Sequence, residues 1–182
     1  MTYPPWSVQV LLVVLVAIAS ITDLRARRIP NWLVLSGLLV GLALNTILYE
    51  VDGLILSGKG LGLAMLVYFP LYLLRAMGAG DVKLMAAIGT IVGAANWLGI
   101  FVLTSIIGGF FAVLLLLLKG RTRETVYNVG FILQELAFFR APYISKGELD
   151  VGNPKAATLP HGVMIAIGSV AFLVAGALWA PK

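Results

Sequence analysis

The longest uncharged stretch of this sequence, Leu84 to Leu118, covers 35 residues between Lys83 and Lys119. As one straight helix it would be about 52 Å long, whereas the hydrocarbon core of a bilayer is about 30 Å thick. The stretch is too apolar for a soluble domain and too long for one membrane span. We therefore expect a membrane hairpin of two spans that turns within Ala94 to Trp97.

Composition extends this membrane character to the whole chain. Of the 182 residues, 60% are hydrophobic and 12% are charged, whereas globular domains average about 45–50% apolar and about 25% charged residues. The longest polar segment is 119–159. The predicted fold class is therefore all-α, a single polytopic transmembrane helix bundle covering 1–182. About six spans are expected, over 6–22, 32–49, 58–75, 82–96, 98–118 and 160–180.

The third span is short when it is measured between charged residues. Only 15 uncharged residues, Gly60 to Leu74, separate Lys59 from Arg75, and as a helix they would reach about 22 Å. We expect the Lys59 and Arg75 side chains to extend toward the two membrane surfaces, so that the segment can still cross the bilayer.

Basic residues predict the orientation of the bundle. With six spans, 11 of the 13 lysines and arginines lie on one face, and the face rich in these residues is normally cytoplasmic. We therefore expect both termini outside, and we read the net charge of +5 as an orientation signal and not as a sign of nucleic-acid binding. No basic residue precedes the first apolar run, which predicts an uncleaved span and not a signal peptide.

The polar segment 119–159 contains one amphipathic pattern. Polar side chains share one helical stripe and apolar side chains share another, which predicts a cytoplasmic amphipathic helix that lies on the membrane and covers apolar side chains. The two stripes are Glu124, Asn128 and Glu135, and Val126, Val129, Leu133 and Leu136. The segment Gly147 to Thr158 predicts a loop. The acidic residues that could attract a basic partner are Glu124, Glu135, Glu148 and Asp150.

Two aspartates stand at the ends of predicted spans. Asp23 closes the first span, and Asp81, preceded by Gly78-Ala79-Gly80, opens the fourth. Because two spans separate them, both carboxyls return to one face at similar depth, where acidic groups are costly and usually functional or paired. The helix dipoles at the two positions have opposite sign. Two carboxyls close together would share a proton, polarise a water molecule and protonate a leaving amide nitrogen.

Each aspartate also has a simpler interpretation. Asp81 is a suitable N-cap for the fourth helix, and Asp23 could pair with Arg27. Gly78 and Gly80 are ordinary helix breakers, or they leave room for a substrate backbone or the first helix to approach Asp81. The residues alone leave these alternatives open.

Three segments taken together resemble one family. Gly78-Ala79-Gly80-Asp81 resembles the G-x-G-D motif of the prepilin peptidases, which are membrane aspartic proteases. Asp23, followed six residues later by Ile29-Pro30-Asn31, resembles the first catalytic segment of that family. Pro160-His161-Gly162 is similar to the start of its last helix. The resemblance extends over residues 23 to 168 and is specific because three separate motifs agree.

The resemblance implies an aspartic-type endopeptidase whose catalytic pair is Asp23 and Asp81. The positions that it adds as site-shaping backbone or support are Gly78, Gly80, Pro30, Asn31 and Lys83. The implied substrate is the leader of a type IV prepilin-like precursor, cut after a glycine and before an apolar helix, at the cytoplasmic face of the bacterial inner membrane. Pilus-assembly machinery is a further expected partner.

One feature of the larger family members is missing from this sequence. Those members carry a cytoplasmic region with paired cysteines and also methylate the new N-terminus, whereas this chain contains no cysteine. It therefore resembles the short peptidases of tight-adherence (Flp) pili, and the resemblance implies no zinc or other metal and no cofactor. The difference also speaks against N-methyltransferase activity.

Two other functions are compatible with the residues. A proton-coupled transporter could use the aspartates as relay groups, and a noncatalytic scaffold could support pilus assembly. The single histidine, His161, is expected to be an ordinary polar residue at a helix start. The tryptophans are predicted in the belt at the membrane interface, at Trp6, Trp32, Trp97 and Trp179.

Overall fold

The structure, a computed structural model, describes residues 3–120, 122–137 and 160–179. Within them every regular element is an α-helix, and four of the helices are long and apolar enough to cross a membrane. The predicted fold class, a polytopic all-α bundle, is confirmed, and the chain is a multi-pass membrane protein. The helices are α1 (Trp6–Ala26), α2 (Asn31–Leu73), α3 (Ala79–Lys119), α4 (Thr122–Ala137) and α5 (His161–Trp179).

The long helix α2 is a hairpin. Glu50, with φ 51° and ψ −126°, interrupts the helical backbone. Asn45 Nδ2 donates a hydrogen bond to Ser57 Oγ at 3.0 Å, although residues 12 apart in a straight helix are separated by about 18 Å. The chain therefore reverses at Glu50. The second arm, 51–73, begins before the predicted third span and is about 34 Å long, which is enough to cross a bilayer core.

The long helix α3 is a second hairpin. Gly93, with φ 75° and ψ 167°, interrupts it, and a positive φ of this size favours glycine because a Cβ would clash with the backbone. Trp97 Nε1 donates to the Met85 carbonyl at 3.0 Å, again across 12 residues. The turn therefore starts one residue before the predicted segment 94–97. With α1 and α5, the two hairpins give six apolar helical segments in the described part of the chain.

Glycines hold the two hairpins together. A Cβ atom added to Gly60 of α2 would overlap the backbone carbonyl of Gly89 in α3, and a Cβ on Gly89 would overlap the carbonyl of Gly60. Small residues let helix backbones approach closely in membranes, where packing replaces the hydrophobic effect as the driving force. Asn45 adds hydrogen bonds to the Thr90 and Ile91 carbonyls, both at 3.0 Å. The α2–α3 interface is therefore closely packed at this point, and the Asn45 amide within it is hydrogen-bonded.

Trp97 lies inside the bundle, and its predicted place in the interfacial belt is wrong. The side chain is 0% exposed, stacks on Phe101 with ring centroids 5.4 Å apart and meets the edge of Tyr68 at 6.0 Å. The reversal at Gly93 turns this residue inward, toward the Met85 carbonyl. The other tryptophans are mostly exposed, Trp6, Trp32 and Trp179.

The helix predicted in the polar segment is present as α4, which contacts α3. Two of its apolar or aromatic side chains, Tyr127 and Val129, are exposed. Its position on a membrane surface stays a prediction. The predicted loop Gly147 to Thr158, with Glu148 and Asp150, lies outside the described residues.

Candidate active site

Asp23 is held between the end of α1 and the start of α5. It lies in the last turn of α1 and is 8% exposed. The backbone N–H of Gly162, in the first turn of α5, donates to Asp23 Oδ2 at 2.9 Å. A Cβ on Gly162 would lie 3.0 Å from that oxygen and 3.2 Å from the Asp23 Cβ. Glycine at position 162 therefore allows the helix backbone to reach the carboxylate.

This contact changes the electrostatic setting expected for Asp23. The sequence places the residue at the negative, C-terminal end of α1, but the fold adds the positive, N-terminal end of α5, where free backbone N–H groups favour an anion. Asp81 also lies in a first helical turn, that of α3. Both carboxyls therefore lie at a helix N-terminus. The prediction that the two aspartates experience helix dipoles of opposite sign holds for α1 alone, because α5 adds a positive helix end beside Asp23.

Asp81 is the third residue of α3 and not its N-cap, so the simple capping interpretation is wrong. The N-cap position is Gly78, whose carbonyl accepts hydrogen bonds from the Asp81 and Val82 backbone N–H groups at 3.2 and 3.4 Å. A Cβ on Gly78 would lie 3.3 Å from Asp81 Oδ2. Glycine at position 78 therefore lets its backbone lie against the half-buried Asp81 carboxyl, with which it forms a hydrogen bond.

Gly80 has a different neighbour from Gly78. A Cβ on Gly80 would lie 3.4 Å from the Ile29 Cβ, an ordinary contact distance. Ile29 belongs to the connection between α1 and α2, so Gly80 packs the start of α3 against that connection. Of the two glycines in the motif, only Gly78 borders the carboxyl directly.

The residues predicted to support the site link the two aspartate segments. Pro30 is the N-cap residue of α2, and Asn31 is the first residue of that helix. Lys83 Nζ donates to Asn31 Oδ1 at 3.0 Å on the exposed surface. Together with the contact of Ile29 on Gly80, this bond ties the segment after Asp23 to the segment around Asp81.

The two carboxyls form the centre of a group of titratable side chains. Asp23 and Asp81 lie close enough for their charges to interact. Tyr68, on the second arm of α2, interacts electrostatically with Asp81, and His161 interacts with Asp23. The Nε2 atom of His161 is buried and has no hydrogen-bond partner among the described residues. The site thus brings together two carboxyls, a phenol and an imidazole.

Sequence reasoning missed Tyr68 and the role of Gly162. Tyr68 is 2% exposed and its ring is fixed by the edge contacts with Trp97 and Phe101, at 6.0 and 5.9 Å. The sequence does contain a pattern that indicates burial of Tyr68. The residue continues a stripe of small residues at helical spacing, and these are buried in the structure: Gly53, Ser57, Gly60 and Ala64. No pattern in the sequence indicates that the N–H of Gly162 meets Asp23, 139 residues away.

The group offers general acid and base chemistry. Two carboxyls that interact at a membrane boundary can divide the tasks of taking a proton from water and giving one to a leaving group. In the described part of the chain, no cluster of three His, Asp or Glu side chains could hold a metal ion.

Comparison with known proteins identifies the family. The model of the type IV leader peptidase family matches residues 10–113, a range that contains both aspartates. This chain belongs to the type IV leader peptidase family. The resemblance predicted from the three motifs is thus confirmed. The third motif, at Pro160 to Gly162, lies beyond the range that the family model matches. The fold brings it to the site, where the Gly162 N–H binds Asp23.

One relative within the leader peptidases is a prepilin leader peptidase/N-methyltransferase of Legionella pneumophila. It is 32% identical over 114 residues, which cover 59% of this chain and 40% of the relative. The chain therefore spans less than half the length of that protein. No solved structure matches this leader peptidase chain.

Proposed function

We propose that this protein is a membrane aspartic endopeptidase that removes the leader of type IV prepilin-like precursors, with Asp23 and Asp81 as its catalytic pair. The observation that carries the proposal is that both aspartates lie at one end of an apolar bundle, close enough for their charges to interact. Membership of the type IV leader peptidase family supports the reaction class.

Hydrolysis requires each carboxyl to have a distinct proton state. One carboxylate takes a proton from a water molecule while the water oxygen attacks the scissile carbonyl carbon, and the other carboxylic acid protonates the carbonyl oxygen. The tetrahedral intermediate then collapses as the proton taken from water moves from its carboxyl to the leaving amide nitrogen and a hydroxyl proton of the intermediate returns to the other carboxylate, which restores both carboxyls. The Gly162 N–H holds Asp23 Oδ2, and the Gly78 backbone interacts with the Asp81 carboxyl, so backbone groups orient both members of the proposed pair.

The proposed location is the cytoplasmic face of the bacterial inner membrane, with both termini outside. Support comes from the basic residues beside the pair, Arg25, Arg27, Arg28 and Lys83, because cytoplasmic segments are rich in such residues. The proposal covers peptide cleavage in a short peptidase of the tight-adherence (Flp) kind and does not extend to N-methyl transfer, an activity named for the Legionella relative. Pilus-assembly machinery is proposed as a further partner.

A proton relay through the bundle has less support. Two buried polar side chains of the α2–α3 interface are engaged in packing: Asn45 donates to Ser57 and to two backbone carbonyls, and the Thr90 hydroxyl donates to the Ala86 carbonyl. Both aspartates lie at one end of the helices. This arrangement favours chemistry at one face over transport between the two faces.

The test is cleavage of a prepilin precursor by membranes that contain the protein. We expect Asp23→Asn and Asp81→Asn each to slow cleavage by about 10²–10⁴-fold, since each removes a group that transfers a proton. Correct insertion of both variants is checked by detergent extraction and chromatography.

A matched control is Asp52→Asn, which makes the same chemical change at an exposed position of α2. It is expected to cleave at the wild-type rate. Wild-type cleavage by a correctly inserted Asp23→Asn or Asp81→Asn protein would contradict the assignment of the pair. If cells that lack this protein fail to assemble pili even when they are supplied with mature pilin, the result would instead point to the scaffold function.

A further inference from the structure

An apolar groove runs along the outside of the bundle between α1 and α5. It encloses about 670 Å³ and is open along one side. Small side chains form much of its wall, including Ala17 and Ser20 of α1 and Ala166, Ala171 and Ala175 of α5. Walls of this kind let the backbone of another helix approach closely within a membrane.

One end of the groove lies one helical turn from the candidate active site. Ser20 lies one turn before Asp23 on α1, and Ala166 lies one turn after Gly162 on α5. The Gly162 N–H binds the Asp23 carboxylate, so this contact joins the two helices just beyond that end of the groove. From Ser20 the groove continues to Val13, about 10 Å along α1.

Two helix contacts elsewhere in the described bundle leave no comparable space. The α2–α3 contact is filled at Gly60 and Gly89, and a Cβ on Gly168 of α5 would overlap Thr104 of α3. The α1–α5 groove, in contrast, offers a surface on which an apolar segment can lie with one of its ends about one turn from Asp23.

We propose that the groove receives the apolar helix of the prepilin-like substrate. The inference rests on the proposed function, in which the scissile bond directly precedes an apolar helix. A helix seated between α1 and α5 has its N-terminal end at Asp23 and its body against the small residues of the two walls. The leader then extends from the membrane at the basic end of the bundle.

Crosslinking tests the location of the substrate helix. The chain contains no cysteine, so single cysteines carrying a photoreactive maleimide can be placed at Val170→Cys in the groove and at Val40→Cys on α2. The two valines are matched, being 42% and 49% exposed, and α2 does not contact α5 among the described residues. Both variants also carry Asp81→Asn, so that the precursor is held uncleaved.

The probe is a synthetic precursor with a basic leader that ends in glycine and an apolar helix of about 20 residues, in lipid vesicles. We expect the precursor to crosslink to the Val170→Cys protein and to remain at background with Val40→Cys. Equal crosslinking at both positions would overturn the proposal. So would full competition by an unrelated transmembrane helix of the same length, because the groove would then be a nonspecific lipid-facing surface.

Filling the groove tests its contribution to cleavage. Ala17→Phe occupies the α1 wall, whereas Ala43→Phe makes the same change at an exposed position on α2. In the otherwise wild-type protein, we expect Ala17→Phe to raise KM for the full precursor by about tenfold, equivalent to about 1.4 kcal/mol of binding, with kcat unchanged. A short peptide that carries the leader and only the first few residues after the scissile bond is expected to be cleaved as by the wild type, and Ala43→Phe to be neutral toward both substrates.

The experiments distinguish failure of the groove proposal from failure of the proposed peptidase function. If the wild-type protein cleaves the full precursor while Ala17→Phe leaves KM unchanged, the groove is not the docking site but the peptidase assignment stands. If the wild-type protein cleaves neither the precursor nor the short peptide, the proposed function fails and the groove proposal fails with it.

Discussion

The α2–α3 interface and the α1–α5 pair use glycine in opposite ways. At the first, Gly60 and Gly89 remove side chains so that two backbones touch and no space is left. At the second, Gly162 removes a side chain so that a backbone N–H can reach the Asp23 carboxylate, and the two helices leave an open groove beside that contact.

The difference separates stability from reactivity within one small bundle. Helices in a bilayer gain little from burying apolar surface, so close packing and internal hydrogen bonds must hold them together. The α2–α3 interface supplies both. The α1–α5 pair gives up part of that packing, and it keeps a carboxylate, a buried unpartnered imidazole nitrogen and the groove at one place.

The largest effect on stability is expected from closing the gap that Gly60 leaves. Gly60→Ala forces a Cβ against the Gly89 carbonyl, and we expect the free energy of unfolding to fall by about 3 kcal/mol, the upper part of the range for overpacked cores. The measurement is thermal unfolding in detergent.

Two neighbouring glycines provide matched controls for this change. A Cβ on Gly58 or Gly62 meets no atom within 4 Å, so Gly58→Ala and Gly62→Ala are expected to be neutral or to stabilise the helix by up to about 1 kcal/mol. Equal destabilisation by all three substitutions would show that close packing at Gly60 does not hold the hairpins together.

A smaller and different effect is expected at Gly162. Gly162→Ala displaces the Asp23 carboxylate, and we expect kcat for precursor cleavage to fall by about 10- to 100-fold, since small misplacements of reacting groups have effects of this size. The free energy of unfolding should change by less than about 1 kcal/mol, because the contacts of 3.0 to 3.3 Å with Asp23 require only a small shift of that residue. Gly109→Ala, which meets no atom, is the control.

The result at Gly162 tests whether this glycine has a different role from the packing glycines of the α2–α3 interface. If the loss of activity is matched by loss of folded protein, Gly162 acts as a packing glycine like Gly60. Retention of full activity would mean that the Gly162 N–H is not needed to hold Asp23.

The smallest effect is expected at the link between the aspartate segments. The bond from Lys83 to Asn31 is on the exposed surface, so Lys83→Met should change the free energy of unfolding by no more than about 0.5 kcal/mol. A double-mutant cycle with Asn31→Ala measures the coupling. A coupling well above 1 kcal/mol would show that this link is a rigid part of the site and would place it with the close-packed region.

The local patterns were sufficient for much of the bundle. The uncharged stretch 84–118, which is longer than a bilayer is thick, indicated a reversal in the chain, and the interruption at Gly93 provides it. The break between the predicted spans 32–49 and 58–75 corresponds to the interruption at Glu50. The family followed from motifs around Asp23 and Asp81, and the family match agrees. The assignment of the two aspartates as a catalytic pair stays a prediction until the cleavage experiment is done.

Two predictions about single residues were wrong because they depend on where a helix turns or begins. Trp97 follows the general preference of tryptophan for interfaces when only its position near a span end is considered, but the fold gives its N–H a buried carbonyl partner. Aspartate is a favourable N-cap residue, yet the N-cap of α3 is Gly78 and Asp81 lies within the first turn of the helix. Helix periodicity describes which side chains share a face and does not describe which helix covers that face.

The sequence by itself determined the membrane class, the number of apolar segments and the two aspartates that need an explanation, because hydrophobic length and charge scarcity are local properties of a chain. Only the tertiary structure decided that α5 presents its N-terminus to Asp23, that Tyr68 interacts electrostatically with Asp81 and that a groove lies between α1 and α5. Those features depend on how closely particular helices approach, and that distance is determined by the fit of small residues across an interface between segments far apart in sequence.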